Sequence, residues 1–322
     1  MENPHQLSIE DQLEHLEAMG IKLDTSTREK DLKTISTVGY YKLKEFAMAF
    51  DSSTGESQGQ QIHFDNLTFN QLITRYYQDK NLRINVLHAI ESIEVYLQNE
   101  LAAILGEKYG PFGYLKYSNW CDRSIPKFEI ESRQYKFKKS LLWQVKKSQI
   151  PDIKYTRNLN SDGFPTVWLM IDTLTIGSTI SLLQSMSKTN LELLSNKFDC
   201  TPHELLSWLG CLNLVRNICC HNSDLVDIKF VTKPIVPEEF SDEILRVHDR
   251  YSNRIAIAIF IILRLMNSVN HKYDFSAIRR SLGSIVNGNE DLAHILGFQS
   301  RNSLRKLPKS RGKHYHKGKH KK

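Results

Sequence analysis

Proline and glycine are scarce in this chain, 9 and 15 of 322 residues, which excludes a collagenous or low-complexity architecture. Cysteine is scarcer. Five residues (Cys121, Cys200, Cys211, Cys219, Cys220) make an odd number without a Cys-x-x-Cys pair, so neither a disulfide framework nor a zinc ribbon is indicated. Buried thiols in a reducing compartment are the expectation. Long apolar runs are missing as well. The longest, Ile255 to Leu263, stops at Arg264, far short of the roughly 20 residues that span a bilayer. The opening MENPHQLSIEDQLEHLEAMG has neither the basic start and apolar core of a signal peptide nor the acid-free composition of a transit peptide. A soluble cytoplasmic protein with no membrane partner is expected. No stretch alternates apolar with polar residues well enough to require a sheet, and the fold class expected is all-α.

Hydrophobic residues at 40% and charged residues at 25% are ordinary globular values and imply a packed core. The formal charge is +7, but it is unevenly placed. Residues 301 to 322 hold ten basic residues and no acidic one, which leaves 33 basic against 36 acidic in residues 1 to 300, a net of −3. The body is mildly acidic, and the basic character belongs to the end of the chain. That end is expected to be a disordered cationic tail carrying Arg301, Arg305, Lys306 and Arg311. A metal on its His314, His316 and His320 is the lesser alternative.

Three parts are expected: an N-terminal helical segment over 1–66 packed on the body, a helical domain over 67–300, and the tail from 301. Ser8 with Asp11 caps a first helix that stops at Gly20, and a second covers Arg28 to Val38. From Thr68 to Leu105 there is neither proline nor glycine, so one long helix is expected, with a break near Asp79 as an alternative. At 100° per residue, Val86, Ile90, Ile93, Leu97, Leu101 and Ile104 fall within about 60° of one another and form a buried stripe. Arg83 and Glu94 project into it. Charges in an apolar stripe are seldom unpaired, so these two either pair with another helix or support a polar site.

Residues 118–164 are the least regular and are expected to be an insertion or connection. Their rings and cations, with Lys138, Lys139, Lys146 and Lys147 among them, resemble a surface on which bases stack and phosphates meet lysines. An amphipathic helix explains them equally well. Further on, Thr201-Pro202 with Glu204 opens a helix, and another is expected over Asp242 to Val269.

The helix from Pro202 carries Arg216-Asn217-Ile218-Cys219-Cys220-His221. Leu205, Leu209, Leu212 and Cys219 mark its core face, whereas Asn213, Asn217 and His221 form a polar stripe. Arg216 and His221 lie about 140° apart around the axis and about 7.5 Å along it. They cannot share one face. Two such helices crossing about a two-fold axis would bring both arginines and both histidines to one phosphate. A helix–helix salt bridge by Arg216 and a C-terminal cap by His221 would explain the same residues.

Six segments occur in an order that resembles the Abi-like (abortive infection) phage-resistance family. They are Gly39-Tyr40-Tyr41-Lys42-Leu43, Asp79-Lys80-Asn81-Leu82-Arg83, Glu91-Ser92-Ile93-Glu94-Val95, Tyr109-Gly110-Pro111, Trp168 through Gly177, and Arg216 through His221. The resemblance runs from about residue 8 to Leu296-Gly297-Phe298. That family is similar to the HEPN superfamily, all-α proteins in which an Arg-Asn-x3-His signature marks metal-independent ribonucleases. The resemblance implies a HEPN-like helical bundle and a homodimeric endoribonuclease that needs no cofactor or metal and leaves 2′,3′-cyclic phosphate and 5′-hydroxyl ends. It also implies that Arg216 binds the scissile phosphate, His221 moves the proton and Asn217 orients one of them, with Arg83, Glu94 and Asn213 as support. The partner is RNA, either as substrate or as a small regulatory RNA held without cleavage. Growth arrest by a toxin paired with an antitoxin fits the former.

Overall fold

The computed structural model describes residues 5–50 and 62–309, so Arg311 and the histidines beyond it lie outside the described residues. Twelve α-helices follow one another: α1 (Ile9–Ala18), α2 (Arg28–Val38), α3 (Tyr40–Ala47), α4 (Phe69–Tyr109), α5 (Lys127–Lys147), α6 (Val167–Met170), α7 (Ile176–Leu183), α8 (Lys188–Asn196), α9 (Pro202–Cys220), α10 (Ile255–Val269), α11 (Ser276–Val286) and α12 (Glu290–Ile295). Short 3-10 turns join them. Among the described residues the one sheet is a two-residue hairpin of β1 (Arg246–Val247) and β2 (Arg250–Tyr251). The fold is all-α.

Helix α4 organises the rest. Thr68 and Gln71 close a reciprocal cap at its start, and Gly110 at φ +74° ends it, a backbone conformation glycine adopts without strain. Its 41 residues make a rod about 60 Å long. All six residues of its apolar stripe are buried and pack under α9, α10 and α11. The helix does not break at Asp79, because that carboxylate finds partners beyond its own helix, as described below. Helix α10 is buried on every side from Ile255 to Leu263. The nine-residue apolar run is thus the central core helix, and no helix among the described residues is long and apolar enough to cross a membrane. A second, smaller cluster joins Leu13, Leu16, Ile35, Leu43 and Phe46 of α1–α3 to Phe69 and Leu72 at the start of α4.

Four expectations change. The segment 118–164 contains a 21-residue helix, α5, so it is far more regular than its mixed composition implied. Only Leu141 of that helix is fully buried; one anchoring side chain leaves little periodicity to read. The helix expected from Asp242 begins only at Ile255, after the β1–β2 hairpin. His248 and Asp249 turn that hairpin with φ of +48° and +60°, a two-residue turn whose twist suits antiparallel strands. Residues 301–306 are not a loose tail. They form a 3-10 helix capped by Ser300, with Leu304 and Leu307 buried and Arg301 and Lys306 paired to Glu290 and Glu243. Finally, Cys220 is exposed and Cys200 half-buried. Burial pushes the Cys121, Cys200 and Cys219 thiols up to about 12, so these three stay protonated at neutral pH.

Candidate functional site

Helix α9 starts on a reciprocal cap between Thr201 and Glu204 with Pro202 in its first turn. Leu205, Trp208, Leu209, Leu212, Val215 and Cys219 face the core, which turns Arg216 sideways toward α4. There it lines a cleft of about 450 Å³ with Glu91, Glu94 and Gln98 of α4, Asp172 and Leu174 of the α6–α7 connection, and Cys220. Arg216 closes no salt bridge among the described residues, yet its charge acts on Glu94. Burial raises the Glu94 carboxyl above its ordinary range, against the opposing pulls of Arg216 and of the Ile176 backbone N–H, which Glu94 accepts. Burial also raises the Asp172 carboxyl. Arg216 is half-buried and its guanidinium has no ion pair among the described residues, which suits it to an anionic ligand.

His221 is the C-cap of α9 and is exposed. Its N–H donates to the Asn217 carbonyl at 2.9 Å, and the Ser223 N–H returns to the Ile218 carbonyl at 3.1 Å around Asn222, whose φ is +57°. This is a left-handed helix stop with asparagine in the place glycine often takes. What fixes it is a set of charged groups beneath. Arg83 donates to Asn222 Oδ1 at 2.9 Å and pairs with Asp79 one turn earlier on α4. Asp79 Oδ1 accepts the backbone N–H groups of Leu225 and Val226 at 2.9 and 3.0 Å. Glu45 of α3 accepts the Asp224 N–H at 3.0 Å, and Arg75 grips Asp227 through two bonds of 2.7 and 3.3 Å. Residues 222–227, directly after His221, are thus pinned to α4 and α3. Burial raises the Asp79 carboxyl, and the guanidinium and N–H groups oppose that rise.

The chain matches a family model at residues 33–227, that of the Abi-like proteins. It belongs to the Abi-like protein family. Membership points to abortive infection, a form of phage defence. No curated protein and no solved structure matches the chain. The matched segment of this Abi-like protein carries α4, Arg216 and His221 together with Asp79, Arg83, Asp224 and Asp227, and ends at that last anchored residue.

The residues singled out from the sequence separate in space. Arg216 and Glu94 meet in the cleft. Asn217 and His221 do not line it and are exposed. Asn213 lies against Gly177, where a Cβ would stand 3.6 Å from its Oδ1, so it serves the close approach of α7 to α9. Arg83 lies beneath the His221 turn. Lys147 stacks on Trp143 at 3.7 Å and Lys138 approaches Phe164 at 5.9 Å, while Lys139 and Lys146 are exposed on the same helix. Arg305 lies beside Arg301 and Arg279 in a separate groove. Sequence reasoning overlooked Asp79, Glu91 and Asp224. The spacing of Asp79 four residues before Arg83 was a readable signal for a helical ion pair; nothing in the local sequence marks Asp224.

Asp224 gives this Abi-like protein a pH dependence. Burial, and next the charge of Asp227, pushes its carboxyl up from the ordinary carboxylate range to about 7. The folded state then holds this proton more tightly than the unfolded chain. Stability from this group is fullest below about pH 4 and is lost as pH rises to about 7. Asp224→Asn keeps an acceptor for the Asp227 N–H, 3.1 Å away. It should flatten this decline. Urea midpoints between pH 5 and 8 that fall equally in both proteins would refute the assignment.

Proposed function

We propose that this protein is a metal-independent endoribonuclease acting in phage defence, with Arg216, Asn217 and His221 of two copies forming its site. The 2′-hydroxyl of the substrate attacks the adjacent phosphorus and the 5′-oxygen leaves, producing a 2′,3′-cyclic phosphate and a 5′-hydroxyl. His221 exchanges the proton with one of those oxygens, work suited to an imidazole. Arg216 neutralises charge gathering on the non-bridging oxygens, and Asn217 orients the phosphate. The observation that carries this reading is the half-buried guanidinium of Arg216, without an ion pair among the described residues, five residues before an exposed histidine whose backbone is locked. Within one copy the two side chains diverge. A second copy across α4 and α9 supplies the missing half, and these helices expose Val95 and Leu214, apolar side chains that a dimer would cover.

Glu91, Glu94 and Asp172 favour a second reading, because they make the cleft of a single copy acidic and so unwelcoming to a phosphate. In that reading the protein binds a small regulatory RNA without cutting it, using the exposed cations and rings of α5. Incubating the purified protein with total RNA in the presence of EDTA, then mapping 5′-hydroxyl ends, separates the two. New 2′,3′-cyclic phosphate ends are expected. Bound but intact RNA would favour the second reading.

A further inference from the structure

A second cleft, of about 530 Å³, opens between α5 and α7. Tyr117, Phe137, Leu141 and Leu182 form its apolar floor. Arg133 and Lys136 stand in its wall, and no carboxylate lines it. The contrast with the acidic cleft around Arg216 is that an anion entering here meets no lining carboxylate, and that Lys136 carries a charge without an ion pair among the described residues. Arg133 is held by Glu129 behind it and by a 3.0 Å bond to Ser185 Oγ, so its position is set in advance. Lys136 has no ion pair among the described residues. Two amides, Gln144 and Gln184, also face the cleft, and Gln144 Oε1 is buried without a hydrogen-bond partner. Buried acceptors are rarely left so, and a turn of this amide toward the cleft would offer it to a donor on a ligand.

An apolar floor, amides able to donate and accept, serine hydroxyls on the α7 side (Ser178, Ser181) and cations in the wall match one kind of molecule. We propose that this cleft is a nucleotide-binding subsite, with the base over Phe137 and Leu141 against Gln144, and the phosphate at Lys136 and Arg133. Size agrees, since pockets that take small ligands run from about 300 to 1,000 Å³. Leu174 lines both this cleft and the one holding Arg216, so the two are neighbours. The nucleotide is therefore a unit of the RNA strand that passes Arg216. This last step rests on the ribonuclease reading; the nucleotide site itself does not. A free nucleotide offers the same chemistry, and the two sources can be told apart.

The test uses the full chain carrying His221→Ala, which keeps RNA intact, with two further substitutions at exposed positions of the cleft. Ser181→Trp fills it, and Lys136→Gln removes a cation without adding bulk. Binding of AMP, GMP, CMP and UMP is measured by equilibrium dialysis, and binding of a short mixed-sequence 2′-O-methyl RNA by fluorescence anisotropy. At least one mononucleotide should bind at millimolar concentration or better. Ser181→Trp should weaken it by about tenfold or more, as loss of a stacked base does, and Lys136→Gln by several-fold with a shallower salt dependence. A parallel loss of RNA binding assigns the strand as occupant; unchanged RNA binding assigns a free nucleotide. If none of the four mononucleotides binds, or both variants bind as tightly as their parent, the subsite is refuted. Failure of the wild-type protein to cut RNA removes the ribonuclease reading and leaves this measurement standing.

Discussion

His221→Ala should abolish RNA cleavage while leaving the protein folded. A positioned general acid–base group contributes about 10² to 10⁴ in rate, and His221 is exposed, so its removal opens no cavity. Arg216→Ala should lose about 10² to 10³ through lost charge stabilisation, and Arg216→Lys should recover little, because a lysine lacks the planar fork. The two variants differ in a second readout. His221→Ala should retain RNA affinity, whereas Arg216→Ala should bind more weakly and with a reduced salt slope. Growth arrest on expression should vanish with either. Cleavage by His221→Ala at the wild-type rate would place the chemistry elsewhere. If the two inactive variants restore activity when mixed, the sites are shared between copies. That outcome is expected, because Arg216 and His221 diverge around one helix.

Arg83→Ala should be the most destabilising single change near the site. The guanidinium is 3% exposed and its partner Asp79 is 0% exposed, and breaking a buried pair by removing one member costs about 3–5 kcal/mol. The loss leaves Asp79 with only the Leu225 and Val226 N–H groups and frees the Asn222 side chain. The turn after His221 then loosens, and cleavage should fall beyond what the fraction folded explains. One Arg83 nitrogen, Nη2, is buried without a partner, so the wild-type arrangement already carries some cost. Adding Asp79→Ala should therefore do less harm in the Arg83→Ala protein than in the wild type. Urea unfolding of the single and double variants measures this coupling. An Arg83→Ala midpoint within error of wild type would show that the pair does not anchor the turn.

The two predictions together explain why a long helix remote in sequence from His221 matters to it. Arg75, Asp79 and Arg83 recur every four residues on α4 and face the 222–227 turn. That spacing places them along one side of the helix. Glu45 extends the same anchorage to α3, so the N-terminal helices are tied to the chain that follows the histidine.

Much of this was legible beforehand, for identifiable reasons. Helical periodicity over residues 68 to 105 depends on contacts three and four residues apart, so the α4 stripe could be read from its own residues. The same holds for the caps at Ser8 and Thr201, each closed with a partner three residues on. Three features resisted. Helix α5 buries one residue fully, so its pattern did not separate an amphipathic helix from an irregular connection. The Ile255 run begins its helix only after a hairpin whose flanks bond to Gly297 and Phe298, far along the chain. Leu304 and Leu307 lie among basic residues, and composition alone made that stretch look like a solvated tail.

Local residue patterns were enough for an all-α chain, a mildly acidic body with its basic excess in residues 301 to 322, and the Arg216–His221 spacing that no single helix face can accommodate. Local periodicity, composition and 100° of rotation per residue suffice for those. The tertiary structure decided which charges meet: Arg216 with Glu94 rather than with His221, Arg83 with Asp79 and Asn222, and a cation-lined cleft set apart from an acidic one by Leu174. Arg216 with Glu94 and Arg83 with Asn222 join residues more than a hundred positions apart. Their energies depend on burial and on the direction of a side chain, quantities that exist only once the helices have packed.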